Sequence, residues 1–267
     1  MKIALYTEYV EQPDRPLLDS LVDSLSRRDV DTVEFDRQLP EGDFDFVFSF
    51  GGDGTILSAV HHVVDTRIPI VGINFGHLGF LTTVGKNDLE AFVEDLLSGH
   101  YTIEERSLLH AKVDDMQSFA LNEVFVHRAE NVPLLKTDVY VDDIFVSTYS
   151  GDGLIVATPT GSTAYSLSCG GPILTPNSGC FVITPIGAHS LTLRPFIVPD
   201  SAKIRLVTDP RHTTLYLGMD SRSQALRGGT EIHLSRENFT IRLVRMRGQN
   251  FFSAIHDKLL WGSDVRR

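Results

Sequence analysis

The sequence predicts an α/β N-terminal domain with a small parallel sheet, then an all-β sandwich C-terminal domain, with a last helix that returns to the N-terminal domain. Three observations carry this. Up to about residue 100, apolar strand runs alternate with amphipathic helical runs. From Tyr101 onward the chain is a series of short segments with period-two alternation, the pattern of stacked antiparallel sheets. Residues 251–260 then show a helical apolar face with no strand partner beside them, so the face needs cover from an earlier part of the chain. The expected boundaries are 1–100, completed by 248–267, and 101–247.

The elements follow in order. Residues 1–6 are apolar but for Lys2, and the run stops at Glu8 and Glu11, which reads as a first buried strand and not as a signal peptide. Pro13-Asp14-Arg15-Pro16 starts a helix with Leu17, Leu18, Leu21, Val22 and Leu25 at helical spacing and Arg27-Arg28 at its cationic end. Residues 30–35 and 44–50 are strands, the second with alternating Phe44, Phe46, Phe48 and Phe50. That strand passes through three glycines and runs into a helical pattern with Leu57, Val60 and Val63 on one side. Residues 68–74 form a fourth strand ending in Gly76-His77-Leu78-Gly79-Phe80. Asn87 caps a helix to Leu97, with Leu89, Phe92, Val93, Leu96 and Leu97 inward and Gly99 as its stop. Short strands are expected at 108–113, 119–127, 137–141, 144–149, 154–158, 180–184, 204–207, 214–217, 231–234 and 240–244. Residues 160–168 interrupt them as a short helix whose hydroxyls, Ser162 included, cap its first turn.

Composition narrows the function classes. With 35 acidic against 24 Lys and Arg residues, the net charge of −11 disfavours nucleic acid and anionic membranes as partners. Any phosphate-bearing ligand must then be held by local donors or by a metal, against the mean field. No apolar run approaches a membrane span. Two cysteines, Cys169 and Cys180, make no disulfide framework; free, buried thiols and a cytoplasmic location are expected.

Three clusters carry chemistry. In Gly51-Gly52-Asp53-Gly54-Thr55 a glycine turn meets a helix N-terminus, where bare N–H groups suit a phosphate. Asp53 is the odd member, since a carboxylate among groups arranged for an anion calls for a metal beside it or a chemical task of its own. No Gly-Lys-Ser/Thr follows, which excludes the usual P-loop and strengthens the case for a divalent cation, Mg²⁺ first. The ten histidines lack metal-ligand spacing, so no protein metal site is assigned. Asn122-Glu123 place an amide and a carboxyl inside an apolar strand, either bonding the protein's own backbone or reading a ligand. Residues 150–172 are a long run of small, hydroxylated and glycine residues that a flat ligand could approach closely, with Asp152 as an acceptor.

Taken together, Gly51-Gly52-Asp53-Gly54-Thr55, Gly76-His77-Leu78-Gly79-Phe80, Asn122-Glu123, and Gly151-Asp152-Gly153 leading to Thr158-Pro159-Thr160-Gly161-Ser162-Thr163-Ala164-Tyr165-Ser166 resemble the bacterial NAD kinases over nearly the whole chain. The first motif alone is shared with lipid kinases. The resemblance implies transfer of a phosphoryl group from ATP or polyphosphate to the 2′-hydroxyl of the adenosine ribose of NAD, with a divalent cation, in a homo-oligomer (dimer or tetramer). It makes Asp53 the acceptor of the hydroxyl proton, and puts Gly51, Gly52, Gly54 and Thr55 beside phosphates. Phe80 resembles the aromatic at the adenine. Asn122 and Glu123 match the nucleoside-contacting pair, and Asp152, Thr163, Ala164, Tyr165, Ser166, Leu167 and Ser168 match the wall of the dinucleotide pocket. Ser150 departs from the family, many members of which carry Arg or Lys there. A diacylglycerol-type lipid kinase and a non-catalytic NAD-binding regulator are the alternatives.

Overall fold

The computed structural model describes residues 1–76, 79–129, 134–211 and 214–260. The chain forms two units, residues 1–105 with 241–267, and residues 106–240.

In the first unit the chain runs through β1 (Lys2–Tyr6), α1 (Arg15–Ser26), β2 (Asp31–Phe35), β3 (Phe46–Phe50), α2 (Asp53–Val63), β4 (Ile70–Asn74), β5 (Val84–Gly85) and α3 (Leu89–Leu97). β3 sits between β1 and β4, β2 lies outside β1, and every pairing is parallel. A parallel sheet is covered on both faces, and β3 accordingly buries all five of its residues, Ser49 included, so the alternation of its phenylalanines is not a solvent face. One core gathers Ile3, Leu5, Leu18, Leu21, Leu25, Phe48, Phe92, Val93 and Leu96. Leu97, expected inward, is exposed, and the N-cap of α3 is Asp88 where Asn87 was expected. At the end of α1, Arg28 donates to the Ser24 carbonyl at 3.0 Å, satisfying one of the last free acceptors of that helix.

β6 (Tyr101–Val113) crosses the boundary between the units. The second unit continues with β7 (Met116–Ala120), β8 (Glu123–Arg128), β9 (Leu135–Val141), β10 (Ile144–Gly151), β11 (Gly153–Ala157) and the short α4 (Tyr165–Ser168). It closes with β12 (Cys180–Ile186), β13 (Phe196–Pro199), β14 (Ile204–Thr208), β15 (Leu215–Met219), β16 (Arg222–Leu226) and β17 (Glu231–Met246). One sheet of this unit has the antiparallel order β10-β9-β14-β17, with β6 on β17 and β7 on β6; the other runs β13-β12-β11-β8-β15-β16. Their inward residues, among them Leu109, Val126, Val139, Val156, Phe181, Leu206 and Ile232, form one sandwich core.

The single strand expected at 119–127 is broken at Leu121-Asn122, and 231–234 and 240–244 are one continuous strand, β17. Residues 196–199 and 222–226 are strands without a strong alternation. The C-terminal end of β17 pairs in parallel with β4 at Leu243 and Ile70, adding a strand to the first unit's sheet. The chain then enters α5 (Phe251–Leu259), which belongs to the first unit and is closed by a capping box between Asn250 and Ser253. Cys169 and Cys180 are free but half-exposed, where burial was expected. No helix among the described residues is long and apolar enough to cross a membrane.

Candidate active site

In the first unit, Gly51 ends β3 with φ 141°, a value that L side chains rarely adopt, and a Cβ there would lie 2.2 Å from Thr55 Oγ1. The turn is glycine so that the chain can fold down over Thr55, whose side chain is buried. The Gly51 amide is bonded to the Ile73 carbonyl at 2.9 Å and the Thr55 amide to Gly52 at 3.0 Å. Gly52 and Gly54 face open space instead: a Cβ on either would meet nothing within 4 Å.

Asp53, the first residue of α2, is half-buried. Its Oδ2 accepts the Phe80 amide at 2.7 Å, and its Oδ1 the amides of Leu81 and Thr82 at 3.0 and 3.1 Å. The sequence offered two reasons for a carboxylate in an anion-binding turn, and the structure adds a third, that it braces the glycine loop after β4. A Cβ on Gly79 would fall 1.8 Å from Asp53 Oδ1, so only glycine lets this loop close on the carboxylate. Arg245 of β17 grips the same loop, donating to the Phe80 carbonyl at 2.9 Å while pairing with Glu104 at 3.0 Å. The backbone of Phe80 is thus held at both ends and its side chain is half-buried. His77 and Leu78 of that motif lie outside the described residues.

In the second unit, Asn122 and Glu123 stand at the break between β7 and β8. The break is held by a residue that sequence reasoning did not single out. Asp220, at φ 52° in the turn between β15 and β16, accepts the amides of Leu121, Asn122 and Glu123 at 2.9, 2.7 and 3.3 Å. Asn122 also accepts the Thr158 amide at 2.8 Å through its carbonyl, which ties the corner to the start of the small-residue segment. Glu123 is 6% exposed; its carboxyl accepts the Tyr165 amide, and its Oε2 has no hydrogen-bond partner. Burial first, and the like charge of Asp220 second, push the Glu123 carboxyl up to about 8. It therefore holds its proton at neutral pH and can donate as well as accept. Burial raises Asp220 as well, against the pull of the three amides and of Arg222.

The segment after Thr158 is a 3-10 turn (Gly161–Thr163) leading into α4. Ser162 is no helix cap: its hydroxyl donates to the Pro159 carbonyl at 2.7 Å and accepts the Leu174 amide at 2.9 Å. Ser166 is buried with its hydroxyl 2.8 Å from that of Thr184. Thr163, Ala164, Tyr165 and Leu167 are half-buried and Ser168 is exposed, so these five keep surface for a ligand. Tyr165 meets Phe125 edge-on at 5.4 Å. Asp152 pairs with Arg128 at 2.6 Å. Ser150 carries no charge, and the guanidinium of this neighbourhood comes from β8, two strands away in sequence order.

Each unit thus assembles its own cluster: Gly51, Gly52, Asp53, Gly54, Thr55 and Phe80 in the first, and Asn122, Glu123, Asp152 and residues 163–168 in the second. Among the described residues, no three His, Cys, Asp or Glu side chains are grouped as a metal cage. A cation that travels on phosphate oxygens needs no such cage, only one or two carboxylates.

Comparison with known proteins bears on what the clusters do. The profile of the ATP-NAD kinase N-terminal domain matches residues 7–101, and that of the ATP-NAD kinase C-terminal domain residues 121–246. A NAD kinase of Christiangramia forsetii is 35% identical over an alignment 293 positions long that covers 100% of both chains. The solved structure of a yeast NADH kinase complexed with NADH superposes with a TM-score of 0.89 at 27% identity, covering 100% of this chain and 89% of that one. A NAD kinase from Archaeoglobus fulgidus, solved in complex with ATP, gives 0.79 at 26% identity over 97% and 99% of the two chains. With end-to-end identity to a NAD kinase and both domain profiles matched in order, the chain belongs to the NAD kinase family and is a phosphotransferase.

Proposed function

We propose that the protein transfers the terminal phosphoryl group of ATP or polyphosphate to the 2′-hydroxyl of the adenosine ribose of NAD, with Asp53 taking the hydroxyl proton. The observation that carries this reading is the fixed carboxylate at the glycine turn: three backbone amides hold it in one orientation, and Oδ2, with a single N–H bond, keeps a lone pair for a proton. In the reaction the bond between the terminal phosphorus and its bridging oxygen breaks. A new bond forms from that phosphorus to the 2′-oxygen, the proton passes to Asp53, and the shortened donor leaves. Such a transfer asks mainly for positioning and charge stabilisation, so Asp53 need not be a strong base. The open backbone at Gly52 and Gly54 can approach the phosphates.

Asn122 and Glu123 read the nucleoside, Glu123 offering its proton or its unpartnered Oε2 to a ribose hydroxyl or a base edge. Thr163, Ala164, Tyr165, Leu167 and Ser168 form the wall, and Asp152, oriented by Arg128, adds an acceptor. Asp53 is the carboxylate of the turn that would hold a divalent cation such as Mg²⁺, which would supply neutralisation of phosphate charge. A homo-oligomer is supported by β10, an outer strand of its sheet on which Ile144 is 71% and Phe145 53% exposed. The acidic chain and its free thiols suit a cytoplasmic location.

The test is one coupled assay of NADP or NADPH formation with Mg²⁺, crossing ATP against polyphosphate and NAD against NADH. Product with at least one pair is expected. No product with any donor, acceptor or divalent metal would overturn the reading.

A further inference from the structure

The outer face of one sheet of the second unit carries a basic cavity of about 230 Å³ that none of the roles assigned above uses. Three strands supply it, each through two residues spaced i, i+2, which project to the same side of a sheet. Lys203 just before β14 and Arg205 within it, His233 and Ser235 of β17, and His110 and Lys112 of β6 line the space, with β17 between the other two strands. The residues that alternate with them, Ile204, Leu234, Leu109 and Ala111, belong to the sandwich core. The strand period alone therefore brings five basic side chains and a hydroxyl to one patch of surface.

Such a patch is costly without a negative partner. Arg205 stands directly opposite His233 in the register of β14 and β17, a pairing of two basic side chains that an anion between them would relieve. The protein answers part of this charge itself. Arg205 lies 3.5 Å from Glu231, with its guanidinium carbon 4.0 Å from the centre of the Tyr140 ring, His233 lies 3.4 Å from Glu231, and His110 Nδ1 is 2.9 Å from Glu237. These contacts hold the guanidinium and the two rings in place. Lys112 and Lys203 are exposed and take part in no ion pair among the described residues. Against Lys112, Lys203 and Arg205, Asp143 is the one carboxylate of the lining among the described residues. In a chain of net charge −11 this is a local reversal of the mean field.

Size and surroundings limit the ligand. The volume is below the roughly 300 Å³ at which pockets for whole small molecules begin. A neighbouring cavity shares Lys112 and His233 but adds Asp114 and Glu231, so a polyanion running on from the basic patch meets carboxylates. We propose that the cavity binds one compact oxyanion of phosphate size, as inorganic phosphate or as the end of a phosphomonoester. Lys112 and Lys203 are its charged contacts, with Arg205, Ser235, His110 and His233 as donors around it. The site shares no residue with either cluster described above and does not rest on the kinase reading.

The experiment is calorimetry of the full chain at fixed pH and ionic strength with two probes, inorganic phosphate and glycerol 3-phosphate. Wild type should bind at least one of them with a Kd of about 1 mM or tighter. Lys112→Gln and Lys203→Gln should each weaken that binding about fivefold, the upper end for an exposed ion pair, and together about 25-fold. Circular dichroism confirms that each variant folds. Lys112→Arg with Lys203→Arg keeps both charges and should stay within about twofold of wild type. Lys136→Gln removes an exposed lysine of β9 that is not part of the lining, and should leave the Kd unchanged. Tighter binding of the ester assigns the cavity to a phosphomonoester, and equal or tighter binding of phosphate assigns it to the free ion; either supports the site. No binding of either probe up to about 10 mM overturns the proposal. So does a Kd that the double Gln variant keeps, which would place the phosphate elsewhere, or a loss that Lys136→Gln reproduces, which would make it an effect of overall charge.

Discussion

The Glu123 carboxyl ties the folded state to pH, and the size of the effect follows from its surroundings. In the unfolded chain it titrates near 4.5, whereas in the folded protein burial and Asp220 push it up to about 8. At about 1.36 kcal/mol for each pH unit, that gap corresponds to roughly 5 kcal/mol between the acid and alkaline limits. Below pH 4.5 both states carry the proton and the contribution is fully present. Between 4.5 and 8 the unfolded chain releases the proton while the folded protein keeps it, so stability falls as pH rises, and above 8 there is no further loss. Glu123→Gln has the shape of the protonated acid at every pH and leaves Asp220 in place in both proteins, so the difference between the two isolates Glu123. Urea unfolding at pH 5.5 and 7.5 should show wild type losing roughly 2–3 kcal/mol relative to the variant over that interval. A difference that stays constant to within about 0.5 kcal/mol across the interval would refute the account of a buried, protonated Glu123.

Further outcomes follow from the two clusters. Asp53→Asn should lower kcat at least about 100-fold, and because the amide has one acceptor oxygen for three N–H donors, it should cost about 1–3 kcal/mol in urea unfolding. Gly79→Ala puts a methyl group where Asp53 Oδ1 sits, 1.8 Å from the ideal Cβ position. Its kcat should fall more than about tenfold, with a stability loss of about 1–3 kcal/mol by thermal unfolding. Asp220→Asn leaves at least one of the amides of Leu121, Asn122 and Glu123 facing a donor; the KM for NAD should rise about tenfold while that for the phosphate donor is unchanged, measured by varying each in turn.

The sequence was most legible where a local rule forces one answer. A glycine turn between a Phe-rich strand and an amphipathic helix leaves little choice but a strand-turn-helix unit, and the shift to period-two alternation after Tyr101 marks the change of architecture. Asn122-Glu123 stood out for the same reason, polar groups in an apolar run. Their holder did not: Asp220 lies almost 100 residues on, and a carboxylate that bonds backbone amides leaves no partner side chain to search for. Asp53 is a similar case, since the amides of Phe80, Leu81 and Thr82 are chemically the same in any sequence. The polar stretch from Ser235 to Asn238 hid the continuity of β17, because it carries no apolar residue on either face, although exposure goes on alternating along the strand. Arg128 escaped notice because its tie to Asp152 depends on the pairing of β8 with β11, which places His127 opposite Gly153.

The interrupted layout of the first unit bears on how the chain is made. Its sheet receives the strand beside β4, and its last helix, only after the whole of residues 106–240 has emerged from the ribosome. Until then Ile70 borders a vacant hydrogen-bonding edge, and nascent chains stalled before Ile241 carry a ready site for misassociation. The intervening unit, contiguous in sequence, is the one able to close first during synthesis.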